Sequence, residues 1–214
     1  MLSQHSEFLE NAFMVLNKVY FNDELPEAVI TIQSAQRCYG YITVRKVWKD
    51  NWDCYREINI SAEYLNRPVE NIISTLLHEM CHLYAMENHI KDTSNNGRYH
   101  NKMFKQIAEA RDLQISYKQY IGWSVTEPTD KLVATIKKYH LDSPIEYVRL
   151  GEYETAGTGG NGLTGTDGGT PIKPPKKKSS TRKYICVCCH NSVRATKDVN
   201  ILCMDCNLQM IKQE

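Results

Sequence analysis

The sequence predicts an α+β fold, in which a small antiparallel sheet packs on helices and is followed by a flexible linker and a small cysteine-rich unit. Three observations support this prediction: helical and strand-like apolar patterns alternate up to residue 150, glycine then dominates, and cysteines cluster at the end. We therefore divide the chain into a core domain at 1–150, a linker at 151–183 and a terminal unit at 184–214.

The first part of the core domain combines one helix with three short strands. Apolar residues recur at helical spacing over 4–20, which predicts an amphipathic helix. Runs rich in β-branched residues at 29–32, 41–44 and 58–60 predict strands. Together with the break at 38–40, they indicate a small, mostly antiparallel sheet.

The second part of the core domain is mainly helical. Asn66-Arg67-Pro68 is a signal for a helix start, and the helical apolar period then continues to about Asn88. The remaining predicted elements are a turn at 95–97, a helix over about 100–111, a short strand at 121–125 and a helix from about 128 to 139.

The distribution of charge is more informative than the net charge of +1. Residues 1–150 carry 17 Lys and Arg against 19 Asp and Glu, whereas residues 151–214 carry 9 against 6. No segment approaches the roughly 18 apolar residues that a membrane span needs, and the start does not resemble a signal peptide. We therefore expect a cytoplasmic protein without a membrane partner. A cytoplasmic location also allows association with a nucleoid. In a reducing compartment its eight cysteines are metal ligands or buried thiols rather than disulfides.

The predicted linker has a distinct composition. Eight of the 11 glycines in the chain lie within 151–169, beside many threonines and almost no apolar residue. Such a segment buries too little surface to offset its ordering entropy, so we expect it to be flexible.

The helix that begins near Pro68 contains the motif His78-Glu79-Met80-Cys81-His82. Residues four apart share a helix face, so both imidazoles can reach one metal ion with a carboxylate beside it. This H-E-x-x-H pattern is typical of zinc hydrolases, with His78 and His82 as ligands and Glu79 as the general base acting on water. The alternative is an accidental pattern on an ordinary helix. We predict Cys81 to be a small buried thiol.

A catalytic zinc usually takes three protein ligands, and three downstream residues are candidates for the third. His89 lies on the same helix, too far along its axis from His82 to close a tetrahedral site. Glu109 would give a His-His-Glu site, but it lies on a different face of the next helix from Phe104. His100 follows a turn and lies at the start of that helix on its apolar face, so we predict it as the third ligand. A buried core histidine is the alternative for His100.

These residues resemble the SprT-like metallopeptidase family, which includes the Spartan DNA–protein crosslink proteases. Besides the H-E-x-x-H motif, the resemblance rests on Tyr99-His100-Asn101-Lys102-Met103-Phe104, which is similar to the H-G-x-x-F pattern of that family. Asn101 stands where the glycine usually stands. The glycine of the metzincin motif is absent, because Ala85 occupies its position.

The resemblance covers the architecture of about residues 5–140, and its specific part is 78–104. It implies helices packed as in the zincins. It also implies a catalytic zinc held by His78, His82 and His100, with Glu79 as the general base.

The terminal unit contains two C-x-x-C pairs that are separated by 13 residues, Cys186 with Cys189 and Cys203 with Cys206. Two such pairs are typical of a structural four-cysteine zinc site, whose metal supplies much of the folding energy of a unit this small. Cys188 fits neither pair as well. SprT-like proteins often end in such a zinc ribbon, so we expect two Zn²⁺ cofactors, one catalytic and one structural.

A basic run joins the linker to the terminal unit. Between Lys173 and Lys197 there are eight Lys and Arg and no acidic residue. Such a run suits contacts with DNA phosphates, and a basic linker that is merely solvated is a nearly equal alternative. The candidate contacts are Lys173, Lys176, Lys177, Lys178, Arg182, Lys183 and Arg194.

We expect a zinc-dependent endopeptidase of SprT-like type, and the resemblance implies that its substrates are proteins bound or crosslinked to DNA, as in DNA repair. One alternative is a nucleic-acid-binding or regulatory protein whose zinc sites are structural and which has no peptidase activity. Another is an amidohydrolase or aminopeptidase that acts on small substrates. Glu79 argues against the first alternative, because a structural site has no need for that carboxylate.

Overall fold

The structure is a computed structural model that describes residues 2–35, 37–145, 147–150 and 182–213. The chain divides into two compact units, Met1–Pro171 and Ile172–Glu214. Nearly all of the predicted linker lies outside the described residues, so the proposed domain boundaries remain a prediction. None of the helices in the described ranges is long and apolar enough to cross a membrane.

The first unit contains four α-helices: α1 Leu2–Phe21, α2 Val69–Glu87, α3 Lys102–Glu109 and α4 Asp130–Lys138. Side-chain caps explain where the two short helices begin. The Asn101 side chain accepts hydrogen bonds from the backbone N–H groups of Met103 and Phe104 at the start of α3, and Thr129 accepts from Leu132 at the start of α4. Pro68, which cannot donate a backbone hydrogen bond, precedes α2.

The first sheet consists of β1 Ala28–Gln33, β2 Gly40–Ile42, β3 Trp48–Lys49 and β4 Cys54–Ser61. Strand β4 is central, with β1 on one side and β2 on the other, and β3 also pairs with β4. The sheet is mixed, because β2 and β3 run antiparallel to β4 whereas β1 runs parallel to it. The predicted antiparallel sheet is therefore wrong for β1. Parallel strands need a long crossover, and the chain between β1 and β4 provides one that also contains β2 and β3.

A buried carboxylate joins the strands of the first sheet. Glu57 on β4 accepts hydrogen bonds from Thr31 Oγ1 at 3.1 Å, Tyr41 Oη at 3.0 Å and Trp48 Nε1 at 2.6 Å. These donors come from β1, β2 and β3, so one acceptor fixes three neighbouring strands relative to β4. The contacts raise the pKa of the Tyr41 hydroxyl to about 12, with desolvation as the largest cause and the Glu57 hydrogen bond next.

The second sheet has the order β5-β6-β8-β7 and consists of β5 Thr93–Ser94, β6 Tyr99–His100, β7 Leu113–Lys118 and β8 Gly122–Pro128. His100 lies in β6, before α3 begins, so its predicted place at the start of the helix is wrong. Its backbone N–H donates to Ile121 O at 2.9 Å, and this sheet hydrogen bond ends the strand just before Asn101 caps the helix.

Helix α2 is the centre of the core, where it contacts α1, α3, α4 and strands β2, β4 and β8. Every residue from 72 to 83 is buried. A helix that is buried on all sides normally carries only apolar residues. The exceptions on α2 include His78, Glu79 and His82, whose buried polar groups need partners inside the protein.

The second unit is built from short strands: β9 Arg182–Ile185, β10 Ser192–Ala195, β11 Leu202–Cys203, β12 Leu208–Gln209 and β13 Ile211–Gln213. β9 lies between β10 and β13, and β11 pairs with β12. The small buried core contains Tyr184, Cys186, Cys203 and Met210. Two of these four residues are cysteines, so little apolar packing is available to stabilise this unit.

Candidate active site and metal centres

Two elements bring three histidine side chains together in the first unit. His78 and His82 lie one turn apart on α2, and His100 faces them from β6. The Nε2 atom of His82 is 3.2 Å from Nε2 of His78 and 3.0 Å from Nε2 of His100, and the third Nε2–Nε2 distance is 3.2 Å. The structure therefore brings together all three histidines that the sequence predicted.

The spacing of these nitrogen atoms fits a tetrahedral zinc ion. Ligand nitrogens that lie about 2.0–2.1 Å from a tetrahedral zinc are about 3.3 Å from one another. The observed separations of 3.0–3.2 Å are close to this value. Three imidazoles that converge through the same ring atom form a donor set typical of zinc.

Hydrogen bonds at the opposite nitrogen atoms orient two of the rings. His82 Nδ1 is 2.5 Å from Asp92 Oδ2, and His78 Nδ1 is 2.7 Å from Thr126 Oγ1. A carboxylate accepts hydrogen bonds, so His82 carries its hydrogen on Nδ1. The lone pair on its Nε2 atom is then directed at the other two histidines. The Nδ1 atom of His100 has no hydrogen-bond partner among the described residues.

Phe104 packs against the whole histidine group. Its ring centroid is 4.5 Å from those of His78 and His82 and 4.7 Å from that of His100. Because Phe104 lies in the first turn of α3, three residues after its Asn101 cap, the start of this helix also positions the ring against the histidines.

Burial keeps the histidine group in the form that binds a metal. It lowers the pKa of His78 well below its usual value, and the neighbouring imidazoles of His82 and His100 add to this effect. Burial also lowers the pKa of His100 to about 4. Both imidazoles are therefore neutral at pH 7, and a neutral imidazole is the metal ligand.

Glu79 lies beside the histidines and is 6% exposed. Burial raises its pKa to about 7, against the opposing effect of His82; the charge of Asp92 raises it further and a hydrogen bond with the Ile42 backbone lowers it. A carboxylate whose pKa is near neutrality can both accept and release a proton at physiological pH. Gly40 on β2 lies close to this region, and a Cβ atom there would stand only 2.9 Å from Asn59 O and 2.9 Å from Thr75 Cγ2, so the close approach of β2 to α2 requires glycine.

An open cleft of about 690 Å³ gives access to this group. Its lining residues come from strand β2 and the residues before it, from the chain between Asp92 and His100, and from β8. The buried face of α2 forms the floor, from Thr75 through Glu79 to Met86. The cleft therefore runs along α2 and passes directly over the proposed base.

The other residues that the sequence singled out near this site lie elsewhere. His89 follows α2 in a left-handed backbone conformation and is exposed, and Glu109 at the end of α3 pairs with Lys105 at 3.6 Å. Cys81 is buried in the core, where burial raises its pKa to about 12.

Asp92 and Thr126 are functional residues that the sequence did not indicate. Asp92 lies in an irregular segment between α2 and β5, and Thr126 lies on β8, distant in sequence from the motif. Neither residue belongs to a periodic pattern or to a motif of fixed spacing in the sequence. The one usable signal was that an acidic residue shortly after a histidine motif is a candidate partner for an imidazole.

The second unit brings the four predicted cysteines together. The Sγ atoms of Cys186, Cys189, Cys203 and Cys206 all lie within 4.8 Å of one another, and Cys189 and Cys203 are 3.6 Å apart. Sulfur ligands about 2.3 Å from a tetrahedral zinc lie about 3.8 Å apart, so this group can hold a metal ion. Cys188 is exposed and lies outside the group.

Backbone N–H groups prepare one of these thiols to bind a cation. Hydrogen bonds from the N–H groups of Cys189 and Cys188 lower the pKa of Cys186 to about 7. A thiolate is the form that binds zinc, and N–H groups directed at sulfur stabilise it.

Three of the seven predicted DNA contacts are among the described residues. Arg182 pairs with Asp198 at 2.9 Å, whereas Lys183 and Arg194 lie directly opposite each other on β9 and β10. The other four lie outside the described residues; these are Lys173, Lys176, Lys177 and Lys178.

Comparison with known proteins identifies the family. A search of curated proteins and a search of solved structures each returned no match. The sequence model of the SprT-like family matches residues 9–120, a segment that contains α2, β6 and all three histidines. That family is generally protease-like, and membership suggests a zinc metallopeptidase-like role. Because the match covers more than half of the 214 residues, the chain belongs to the SprT-like family.

Proposed function

We propose that this protein is a zinc-dependent endopeptidase in which His78, His82 and His100 hold the catalytic metal and Glu79 is the general base. The observation that carries the proposal is the convergence of three Nε2 atoms beside a buried carboxylate at the floor of an open cleft. We further propose that the packing of α2 against the first sheet is of the zincin type.

The protein residues have defined roles in this reaction. Zinc bound by such a donor set supplies Lewis acidity, which activates water and polarises a carbonyl. Asp92 and Thr126 hold the imidazoles in position through their Nδ1 atoms. A Glu79 carboxylate oxygen accepts the proton of the attacking water and afterwards returns it to the leaving amine, as a general base that lies beside the metal ligands can do.

The shape of the cleft favours a polypeptide substrate over a small molecule. The cleft extends along the floor helix on both sides of Glu79, towards Thr75 in one direction and Met86 in the other. An extended chain can therefore pass through the site with residues on both sides of the cleaved bond, as an endopeptidase requires. A small-molecule amidohydrolase needs no such through-running cleft.

We also propose that the substrates are proteins bound or crosslinked to DNA, and that the second unit contacts the nucleic acid. Lys183 and Arg194 support this part of the proposal, because two like charges directly opposite each other on paired strands repel unless an anion lies between them. The predicted basic segment before β9 would add further phosphate contacts.

The alternative is a nucleic-acid-binding protein without peptidase activity. The position of Glu79 argues against it. A buried carboxylate beside the three histidines costs free energy, and a purely structural zinc site gains nothing from it.

The test is cleavage of a DNA-binding protein by the zinc-loaded chain, with and without DNA. We expect Glu79→Gln to lower the cleavage rate by a factor of about 10² or more, because a general base contributes about 10²–10⁴. Glu109→Gln is the matched control and should cleave normally. DNA should accelerate cleavage by the unmodified chain, and replacing Lys183 and Arg194 with alanine should remove most of that acceleration while leaving the rate without DNA unchanged.

Two results would contradict the proposal separately. Full activity of Glu79→Gln would exclude the peptidase mechanism. Equal acceleration by DNA in the unmodified chain and in the Lys183 and Arg194 variant would exclude the proposed role of these two residues.

A further inference from the structure

Arg67 is a cation at the end of the cleft that the mechanism does not use. It lines the cleft just before α2, beside Tyr39 and Thr75. Its Nε atom donates to Tyr64 O at 3.0 Å and its Nη2 atom donates to Thr75 Oγ1 at 3.1 Å. The guanidinium carbon lies 3.9 Å from the centroid of the Tyr39 ring. These contacts fix the planar group in one orientation against the cleft floor.

Arg67 has no acidic partner within the described part of the chain. None of the ion pairs there includes it, and its hydrogen bonds go to a backbone carbonyl and a hydroxyl group. Burial lowers the pKa of Arg67 to about 10, so the side chain remains charged at pH 7. Arg67 is half-buried, and a partly desolvated cation without a counter-ion is unfavourable, so an anion that enters the cleft would relieve this cost.

The other charges of the cleft do not compensate Arg67. Arg37 and Arg98 also line it, and its acidic residues are Glu79 and Asp92. Asp92 is bound to His82, and Glu79 is the proposed base. The cleft is therefore a site with more cationic than free anionic groups, which favours an acidic ligand.

We propose that Arg67 forms a subsite that binds an Asp or Glu side chain of the polypeptide substrate. This inference rests on the proposed peptidase function, because a polypeptide must lie in this cleft to reach Glu79. A guanidinium group binds a carboxylate through two parallel hydrogen bonds, and ring stacking against Tyr39 holds it ready for that geometry.

The position of the subsite along the substrate follows from the floor helix. Thr75, which Arg67 contacts, precedes Glu79 by one turn, or about 6 Å along the axis. An extended peptide advances about 3.3 Å per residue. The acidic side chain should therefore lie about two residues from the cleaved bond, on one side only.

The test uses pairs of peptides that differ only by Glu or Gln at one position, scanned along both sides of the cleaved bond. With the zinc-loaded full chain, we expect kcat/KM to be about tenfold higher for Glu than for Gln at one position. Arg67→Gln should reduce this ratio to about one, whereas Arg67→Lys, which keeps the charge, should retain part of it. Loss of the preference at high salt would agree with an ionic contact.

The matched control is Arg111→Gln. Arg111 is also packed over aromatic rings, 4.4 Å from the Phe21 centroid and 4.1 Å from that of Tyr84, but it does not line the cleft. A loss of stability alone should lower the absolute rates of this variant and leave its Glu to Gln ratio unchanged. An unchanged ratio in Arg67→Gln, or the same loss of preference in Arg111→Gln, overturns the inference.

Peptide binding separates a failure of this inference from a failure of the peptidase proposal. Fluorescence anisotropy of the same labelled peptides with the Glu79→Gln chain requires no catalysis. Tighter binding of the Glu peptide that disappears when Arg67→Gln is added supports the subsite even if no peptide is cleaved. Equal binding of the Glu and Gln peptides rejects it, even if cleavage is observed.

Discussion

The three imidazoles of the metal centre are oriented by residues that make no contact with the proposed ion. Asp92 and Thr126 hold the Nδ1 atoms of His82 and His78, and Phe104 packs against all three rings. The two hydrogen bonds orient the rings of His78 and His82, and outer contacts of this kind typically change metal affinity by about 10- to 100-fold.

Glu79 makes the stability of the metal-free protein depend on pH. Its pKa is 4.5 when unperturbed and about 7 in the folded chain, so the folded state holds its proton more tightly than the unfolded state. The resulting stabilisation is fully present below about pH 4.5 and is lost as the pH rises through about 7. Relative to Glu79→Gln, the unmodified chain should lose about 3 kcal/mol of unfolding free energy between about pH 4.5 and pH 8.

Urea unfolding at several pH values, with a chelator present, measures this loss. All three tryptophans lie in the first unit, so their fluorescence reports on that unit alone. His78 and His100 destabilise the protein as the pH falls, because their pKa values are lowered, but both chains share this effect and it cancels in the comparison. If the difference in unfolding free energy between the unmodified chain and Glu79→Gln does not vary with pH, Glu79 is not buried as described.

The junction between β6 and α3 positions both His100 and Phe104. The sequence pattern placed His100 in the helix, because an apolar face with helical spacing follows it. Sheet pairing prevails at this position, since the His100 N–H donates to Ile121 O, and Asn101 then begins the helix. Periodicity locates a helix well, but it does not show which of the first residues are bound by a neighbouring strand.

The Asn101 cap gives a prediction at this junction. Its Oδ1 atom accepts from the backbone N–H groups of Met103 and Phe104, and its Nδ2 atom donates to Lys91 O at 2.7 Å. Asn101→Ala should lower the unfolding free energy by about 1 kcal/mol, whereas Asn101→Gly should cost only a few tenths. Inside a helix, glycine is less favourable than alanine, so the expected order of the two variants is the reverse of helix propensity. The reason is that a cap residue does not have helical backbone angles.

Tryptophan fluorescence during urea unfolding also measures the effect of the Asn101 variants. The exposed Asn51, replaced by alanine, is the control and should leave stability nearly unchanged. A larger loss for Asn101→Gly than for Asn101→Ala would show that helix propensity, and not capping, determines the start of α3.

We expect the stability of the two units to depend on metal to different degrees. The first unit has a large apolar core around α2, so it can fold before it binds an ion. The second unit buries only a few side chains, and two of them are the cysteines Cys186 and Cys203. We therefore expect metal binding to supply much of the folding free energy of the second unit.

Local sequence signals predicted the candidate metal-binding groups better than they predicted the fold. H-E-x-x-H and C-x-x-C spacings reflect geometry within one turn or one loop, so the residues at 78–82 and the four cysteines could be located directly. The parallel pairing of β1 with β4 and the contact between His78 and Thr126 join distant parts of the chain. Such pairings depend on the packing of the whole unit, and a single sequence does not specify them.

The central claim is that His100, from a neighbouring strand, completes a catalytic zinc site. Zinc content and peptide cleavage, measured on the same preparations, test it most directly. We expect two zinc ions per chain for the unmodified protein, one for each group of ligands. His100→Ala should retain about one and lose cleavage, whereas the control His89→Ala should retain two and cleave normally. If the His100→Ala protein keeps two zinc ions and cleaves peptides, His100 is not a ligand of the catalytic zinc.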